Sequence, residues 1–194
     1  MLAPVTQRER LLDAMARTVA RQGYAATSVA DVLKTAGISR RTFYEKFVDK
    51  EDCFLAAYDE IAGLCEDRVV VAYRAERGWE AGIAAAYDAL LAVLAAEPDF
   101  AHLGIVEILA VGPRGLARRD AALRHFTRFI EHTREQLGTT AVPGELVAQA
   151  ISGGIQELLY SQIVRGEAER LPDLACELMH YTLMLLGIER DPAR

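Results

Sequence analysis

An all-α protein of about nine helices is what this sequence predicts, and three observations carry that reading. Apolar residues recur at i, i+3 and i+4 along successive segments, and no stretch shows the alternation of a half-buried strand. The hydrophobic fraction, 52%, rests heavily on Ala and Leu, which are good helix formers. Six prolines and fourteen glycines are few enough to act as punctuation between helices.

Helix 1 is expected over about 5–22, with Leu11, Leu12, Met15, Ala16, Val19 and Ala20 as its apolar stripe and Gly23 after its end. Ser28 with Asp31 three residues on is a capping-box pattern for helix 2, which buries Val29, Val32, Leu33 and Ala36 and stops at Gly37. Helix 3 opens at the cap Ser39 and turns Phe43 and Phe47 inward. Helix 4 opens at Asp49 and runs to about Arg74. Helix 5 covers about 79–96 and is broken at Glu97-Pro98. Helix 6 covers about 99–111 and ends at Gly112-Pro113, and helix 7 covers about 114–137. The segment 138–144 reads as a loop, followed by helix 8 over about 145–165 and helix 9 over about 173–187.

Charge is unevenly spread in this chain of net −6. Residues 1–50 hold nine Lys/Arg and five Asp/Glu, a net of +4, and residues 51–194 hold thirteen and twenty-three, a net of −10. A basic head for nucleic acid on an acidic body with another task would give this pattern, as would uneven sampling of surface charge.

The basic head has a definite organisation. Helix 2, Gly37 and helix 3 have the length and composition of a helix-turn-helix, with the glycine free to take positive φ in the turn. With Phe43 and Phe47 inward, helix 3 projects Arg41, Thr42, Tyr44 and Glu45 outward, flanked by Arg40 and Lys46 and capped by Ser39. A basic face of that size suits a DNA major groove. Two core helices with a solvated basic face would show the same pattern.

Three motifs decide between these readings. They are G-Y-x-x-T-S-V-x-D-V (Gly23 to Val32), A-G-I-S-R-R-T-F-Y-x-x-F (Ala36 to Phe47) and D-K-E-x-x-F (Asp49 to Phe54). Residues 7–55 thereby resemble the DNA-binding domain of the tetracycline-repressor (TetR) family of bacterial transcription regulators. The resemblance implies that Thr27, Tyr44 and Lys50 contact phosphates and that Arg40, Arg41 and Thr42 lie at the groove floor. Glu45-Lys46 departs from the family's usual aromatic or histidine residues, so Glu45 is expected to accept from a cytosine amino group or to pair with Arg41. Residues 1–50 are then the DNA-binding domain, and residues 51–194 the effector-binding and dimerisation domain.

In the body, Gly153 and Gly154 stand in mid-helix, where each costs about 1 kcal/mol against alanine. Close approach of another helix would justify them, as would a kink or bulge beside a ligand. The family pairs helices 8 and 9 with those of a second subunit. This implies a homodimer joined through Ile151, Gly154, Ile155, Leu158, Leu159, Leu178, Tyr181 and Leu185. Helix 6 is apolar nearly all round, with Glu107 as the exception: either a polar contact for an effector or a structural partner of Arg118 or Arg119. Tyr87, Phe100, Leu103, Phe126, Phe129, Gln156 and Tyr160 complete the candidate effector pocket.

Other function classes find little support. Three widely spaced cysteines make neither a disulfide framework nor a zinc motif, and acidic neighbours of Cys53 oppose thiolate formation. His125 and His132 lack a third ligand type beside them, so no metal or other cofactor is expected. Nucleophile-elbow, P-loop and i, i+4 histidine motifs are missing, which argues against an enzyme. No apolar run is expected to approach the roughly 18 residues of a membrane span, and no secretory signal opens the chain, so a cytoplasmic protein is expected. The expected function is a dimeric repressor released from a near-palindromic double-stranded DNA operator by a small, largely hydrophobic effector. A helical protein-interaction module, or an enzyme with a vestigial helix-turn-helix, is the alternative.

Overall fold

The computed structural model of the chain describes residues 6–137 and 144–188, except the side chains of residues 129, 132–137 and 145. The expected loop at 138–144 lies outside these residues but for Gly144, as do the side chains of Phe129 and His132. Every regular element among the described residues is helical, and the α-helices follow in the expected order: α1 (Gln7–Gln22), α2 (Val29–Ala36), α3 (Arg40–Lys46), α4 (Lys50–Ala75), α5 (Trp79–Ala96), α6 (Pro98–Ala101), α7 (Pro113–Leu137), α8 (Gly144–Val164) and α9 (Ala175–Leu185).

The caps read from sequence are formed. Ser28 Oγ accepts from the Asp31 amide while the Asp31 carboxylate accepts from the Ser28 amide at 3.0 Å, closing the box that starts α2. Ser39 and Asp49 accept from Thr42 and Asp52 amides at 3.2 and 2.7 Å. Gly37 takes φ 64°, ψ 39°, the left-handed conformation that lets α2 stop and α3 leave at an angle. Arg10 of α1 pins that turn by donating to the Ala36 carbonyl at 2.6 Å.

Two departures concern regularity. Helix 6 is expected as one element, but it is a single α-turn continued by a π-turn (His102–Glu107) and a 3₁₀ turn (Ile108–Val111). A second 3₁₀ stretch, Ala168–Leu174, precedes α9, with Pro172 inside it. A third departure is one of composition. By length and composition α5 is apolar enough to cross a membrane, with a mean hydropathy of 1.4 over 18 residues, against the expectation of no such run. It serves as a core helix, with Ile83, Tyr87, Leu91 and Leu94 buried against α9 and its neighbours.

Two apolar cores result. The first joins α1–α3 to the first half of α4, through Phe43, Phe54 and Ile61, and also takes in Phe100, Leu103 and Ile108. The second lies among α5, α8 and α9 and includes Ile151, Ile155, Leu159 and Leu178. The helix-turn-helix therefore shares its core with α4 and the irregular helix 6. Burying a Phe such as Phe43, fully inaccessible here, stabilises by about 1.5–3 kcal/mol.

Candidate functional site

The outer face of α3 is built as the sequence suggests. Phe43 and Phe47 are buried, and their rings tilt against each other at 5.7 Å. Opposite them, Tyr44 is 47% exposed and the Arg40 guanidinium lies over its ring at 5.6 Å. Thr42 Oγ1 meets Ser39 Oγ at 3.0 Å. Arg41 Nε donates to Glu45 Oε1 at 3.1 Å, one of the two arrangements expected for Glu45. That pair is exposed and one turn apart, so it is worth little in water and opens readily when a stronger acceptor arrives. Lys46 is exposed in the last turn.

Thr27 and Lys50 are placed differently. Thr27 is only 3% exposed and donates its hydroxyl to the Gly23 carbonyl at 2.7 Å. Lys50 Nζ donates to the carbonyls of Tyr24 and Thr27, both at 2.9 Å, and lies 3.9 Å from the centre of the Tyr24 ring. Desolvation by burial lowers its pKa. Both side chains organise the link between α1 and α2. A phosphate contact by either must be made without, or at the expense of, these bonds. Sequence spacing puts Lys50 near the phosphate path, but the two backbone carbonyls that face it belong to tertiary structure.

A cavity of about 470 Å³ opens in the body, bounded by α4, α5, α6 with the π-turn, α7 and α8. Its wall is largely apolar: Ile61, Leu94, Phe100, Ile105, Phe126 and Leu159 contribute. Burial pushes the Tyr58 phenol and the Cys65 thiol, both on the wall, up to about 12, so both are neutral near pH 7. Charge is confined to the seam between α4 and α7. There Arg118 pairs with Asp59 and His125 Nδ1 with Glu66 at 3.1 Å. A third pair, Arg114–Glu51 at 3.0 Å, continues the same seam beyond the cavity.

Of the expected pocket residues, Phe100, Phe126 and Gln156 line this cavity. Tyr87, Leu103, Glu107 and Tyr160 do not. Tyr87 is buried, with its hydroxyl 2.5 Å from that of Thr182. Leu103 fills the N-terminal core, and Tyr160 is 40% exposed on α8. Glu107 meets neither expected arginine, because Arg118 is paired with Asp59 and Arg119 lies 3.6 Å from Asp120. Its Oε2 instead accepts the Tyr24 amide at 2.8 Å, and its Oε1 stands 3.8 Å from His102 Nε2. Tyr58, Cys65 and the α4–α7 ion pairs were missed. Their helical periodicity marks core or surface and cannot tell a cavity wall from either.

The expected interface residues also divide. Ile151, Ile155, Leu159 and Leu178 are buried within the chain, and Tyr181 and Leu185 are partly buried there. Gly154 is needed by the chain itself: a Cβ there would lie 2.3 Å from Tyr181 Oη, whose hydroxyl donates to the Ala150 carbonyl. Leu158 remains 43% exposed. The open face of α8 instead carries Leu146, Ala150, Gly153, Glu157, Tyr160 and Val164, spaced alternately four and three residues apart. Met184 of α9, 58% exposed, is a further apolar residue left open. Among the described residues, no three His, Cys, Asp or Glu side chains gather as a metal site.

Residues 11–57 match the family model described as bacterial regulatory proteins, tetR family. No curated protein matches the chain in sequence. Solved structures share its fold over nearly the whole length. The fatty acid degradation regulator FadR from Bacillus halodurans superposes with a TM-score of 0.83 at 19% identity, over 95% of this chain and 97% of that one. The transcriptional regulator FadR from Bacillus subtilis, in complex with stearoyl-CoA, gives 0.80 at 20% identity, over 93% and 98%. A bacterial regulatory protein in the tetR family from Rhodococcus RHA1 gives 0.75 at 17% identity, over 96% and 100%.

Proposed function

We propose that this chain, whose residues 11–57 match the tetR-family model, is a transcription regulator of that family that acts in the cytoplasm as a homodimeric repressor released from its operator by a long-chain acyl thioester. The observation that carries this reading is the pairing of an exposed basic face on α3 with an apolar cavity in the body. Residues 1–50 would read DNA and residues 51–194 would bind effector and partner, across a shared first core. Arg40 and Arg41 are the candidates for bidentate contact with guanine O6 and N7, with Thr42 beside them. Tyr44 and Lys46 would position the helix on phosphates.

The effector class follows from the cavity and one relative. Away from the α4–α7 seam the wall is largely apolar, which disfavours a compact ion there and suits an alkyl chain. The charged α4–α7 seam suits an anionic head group, because its exposed ion pairs contribute little stability and part readily. FadR from Bacillus subtilis, which shares the fold, holds stearoyl-CoA. For the dimer we propose the open stripe of α8 with Met184 of α9, in which Gly153 admits close helix approach. Two copies joined there would present two α3 helices to successive major grooves, about 34–36 Å apart, and favour a near-palindromic site.

Selection from a genomic fragment library, followed by footprinting with and without stearoyl-CoA, tests this. A protected near-palindrome released by stearoyl-CoA is the expected result. An enriched site indifferent to acyl thioesters of any chain length would sink the effector class. No enriched site from a folded dimer would leave the alternative of an interaction module.

A further inference from the structure

We infer that Glu107 is the joint through which an occupied cavity acts on the DNA-reading domain, an inference that rests on the effector reading above. The joint begins with the irregular turn. A π-turn within a helix is uncommon and frequently accompanies a functional site. Here it spans His102–Glu107 and faces three ways. Gly104 and Ile105 line the cavity. Leu103 is buried in the core shared with α1–α3. Glu107, the last residue of the turn, holds the Tyr24 amide.

Beyond Tyr24 the connection is continuous. The Tyr24 carbonyl and the Thr27 carbonyl both accept from Lys50, and the Thr27 hydroxyl donates to Gly23. Ser28 then caps α2, the helix that supports α3. Gly23, at φ 78°, takes a backbone conformation that L side chains rarely adopt, and it lies in van der Waals reach of the carboxylate. Each α-helical residue turns the chain by about 100°. If the π-turn relaxed toward α-helical register under a ligand pressing on Gly104, Glu107 would therefore swing away from Tyr24. Glu107 is a positioning residue: it lies off the cavity wall, so its loss should spare ligand binding while cutting the message.

Hydrogen–deuterium exchange of the full-length wild type, E107A and E107Q, each with and without stearoyl-CoA, tests this. Thermal melts confirm that the variants are folded. In the wild type, ligand should slow exchange in segments 58–70 and 118–126 and alter exchange in segment 23–28 by at least about fivefold, the low end of common coupling strengths. In E107A the first two segments should still respond and segment 23–28 should not, with E107Q intermediate. An equal response of segment 23–28 in wild type and E107A overturns the joint. If stearoyl-CoA protects no cavity segment, the effector class is wrong, and the joint is judged from the DNA side. Linkage is reciprocal, so binding of a selected operator duplex should alter exchange at 102–108 in the wild type and not in E107A. Equal change in both, or none in the wild type, overturns the joint as well.

Discussion

The Glu107 carboxylate accepts the backbone N–H of Tyr24 at 2.8 Å, tying the last residue of the π-turn to the link between α1 and α2. The carboxylate is 19% exposed, so this is a charged hydrogen bond largely shielded from water. Removing it in Glu107→Ala leaves a half-buried amide without its acceptor and should cost about 1–3 kcal/mol in urea unfolding. Glu107→Gln keeps an acceptor oxygen and should lose less. Equal losses in the two variants would mean that packing of the side chain, and not the bond, matters here.

Arg40 and Lys50 should separate cleanly when each is changed to Ala. Arg40 lies on the exposed face of α3, so Arg40→Ala should weaken operator binding by about 1–3 kcal/mol and leave the melting temperature unchanged. Lys50 bonds two backbone carbonyls, so Lys50→Ala should also destabilise the fold, by about 2 kcal/mol, a shift of several degrees. Calorimetry beside a titration of labelled operator reads both. An unaltered melting temperature in Lys50→Ala would return that residue to a purely DNA-contacting role.

Gly153 and Gly154 are neighbours with opposite expectations. Nothing lies within 4 Å of a Cβ built at Gly153, whereas one at Gly154 meets Tyr181 Oη at 2.3 Å. If the subunits join through the open face of α8 as proposed, Gly153→Arg should split them while each chain stays folded, because a side chain there meets nothing within its own chain. Gly154→Ala should disturb Tyr181 and forgo the helix-propensity gain of about 1 kcal/mol that alanine normally brings. Light scattering and thermal melts tell them apart. A Gly153→Arg protein that remains dimeric would place the interface elsewhere.

The three cysteines should report the cavity. Burial pushes the Cys53 and Cys65 thiols up to about 12, so their thiolate fractions at pH 8 are very small, while Cys176 is exposed. Iodoacetamide at pH 8 should modify Cys176 first, and reaction at Cys65 should rise as pH climbs toward 12. Cys65 lines the cavity, so stearoyl-CoA should slow it further without affecting Cys53. Peptide mass mapping over time checks this, and an unprotected Cys65 would place the ligand elsewhere.

Much of the fold is legible in the chain because its signals are local. The capping box at Ser28–Asp31, the Ser39 cap, the left-handed Gly37 and the inward Phe43 and Phe47 depend on neighbours within one turn, so spacing determines them. The outward face of α3 follows by subtraction. Spacing cannot say which element meets a given face. Ile151, Ile155 and Leu178 have the periodicity of an interface, but the second core of the same chain takes them, and the open stripe at Gly153 is what remains. Glu107 stands out in sequence as a charge on an apolar helix, but its partner is a backbone amide 83 residues away. The sequence alone determined the order of the helices, the caps of α2 to α4 and the outer basic face of α3, since these rest on contacts within a few residues. Tertiary structure alone decided the cavity wall, which face of α8 stays open and the Glu107–Tyr24 link, because each depends on which distant surfaces meet.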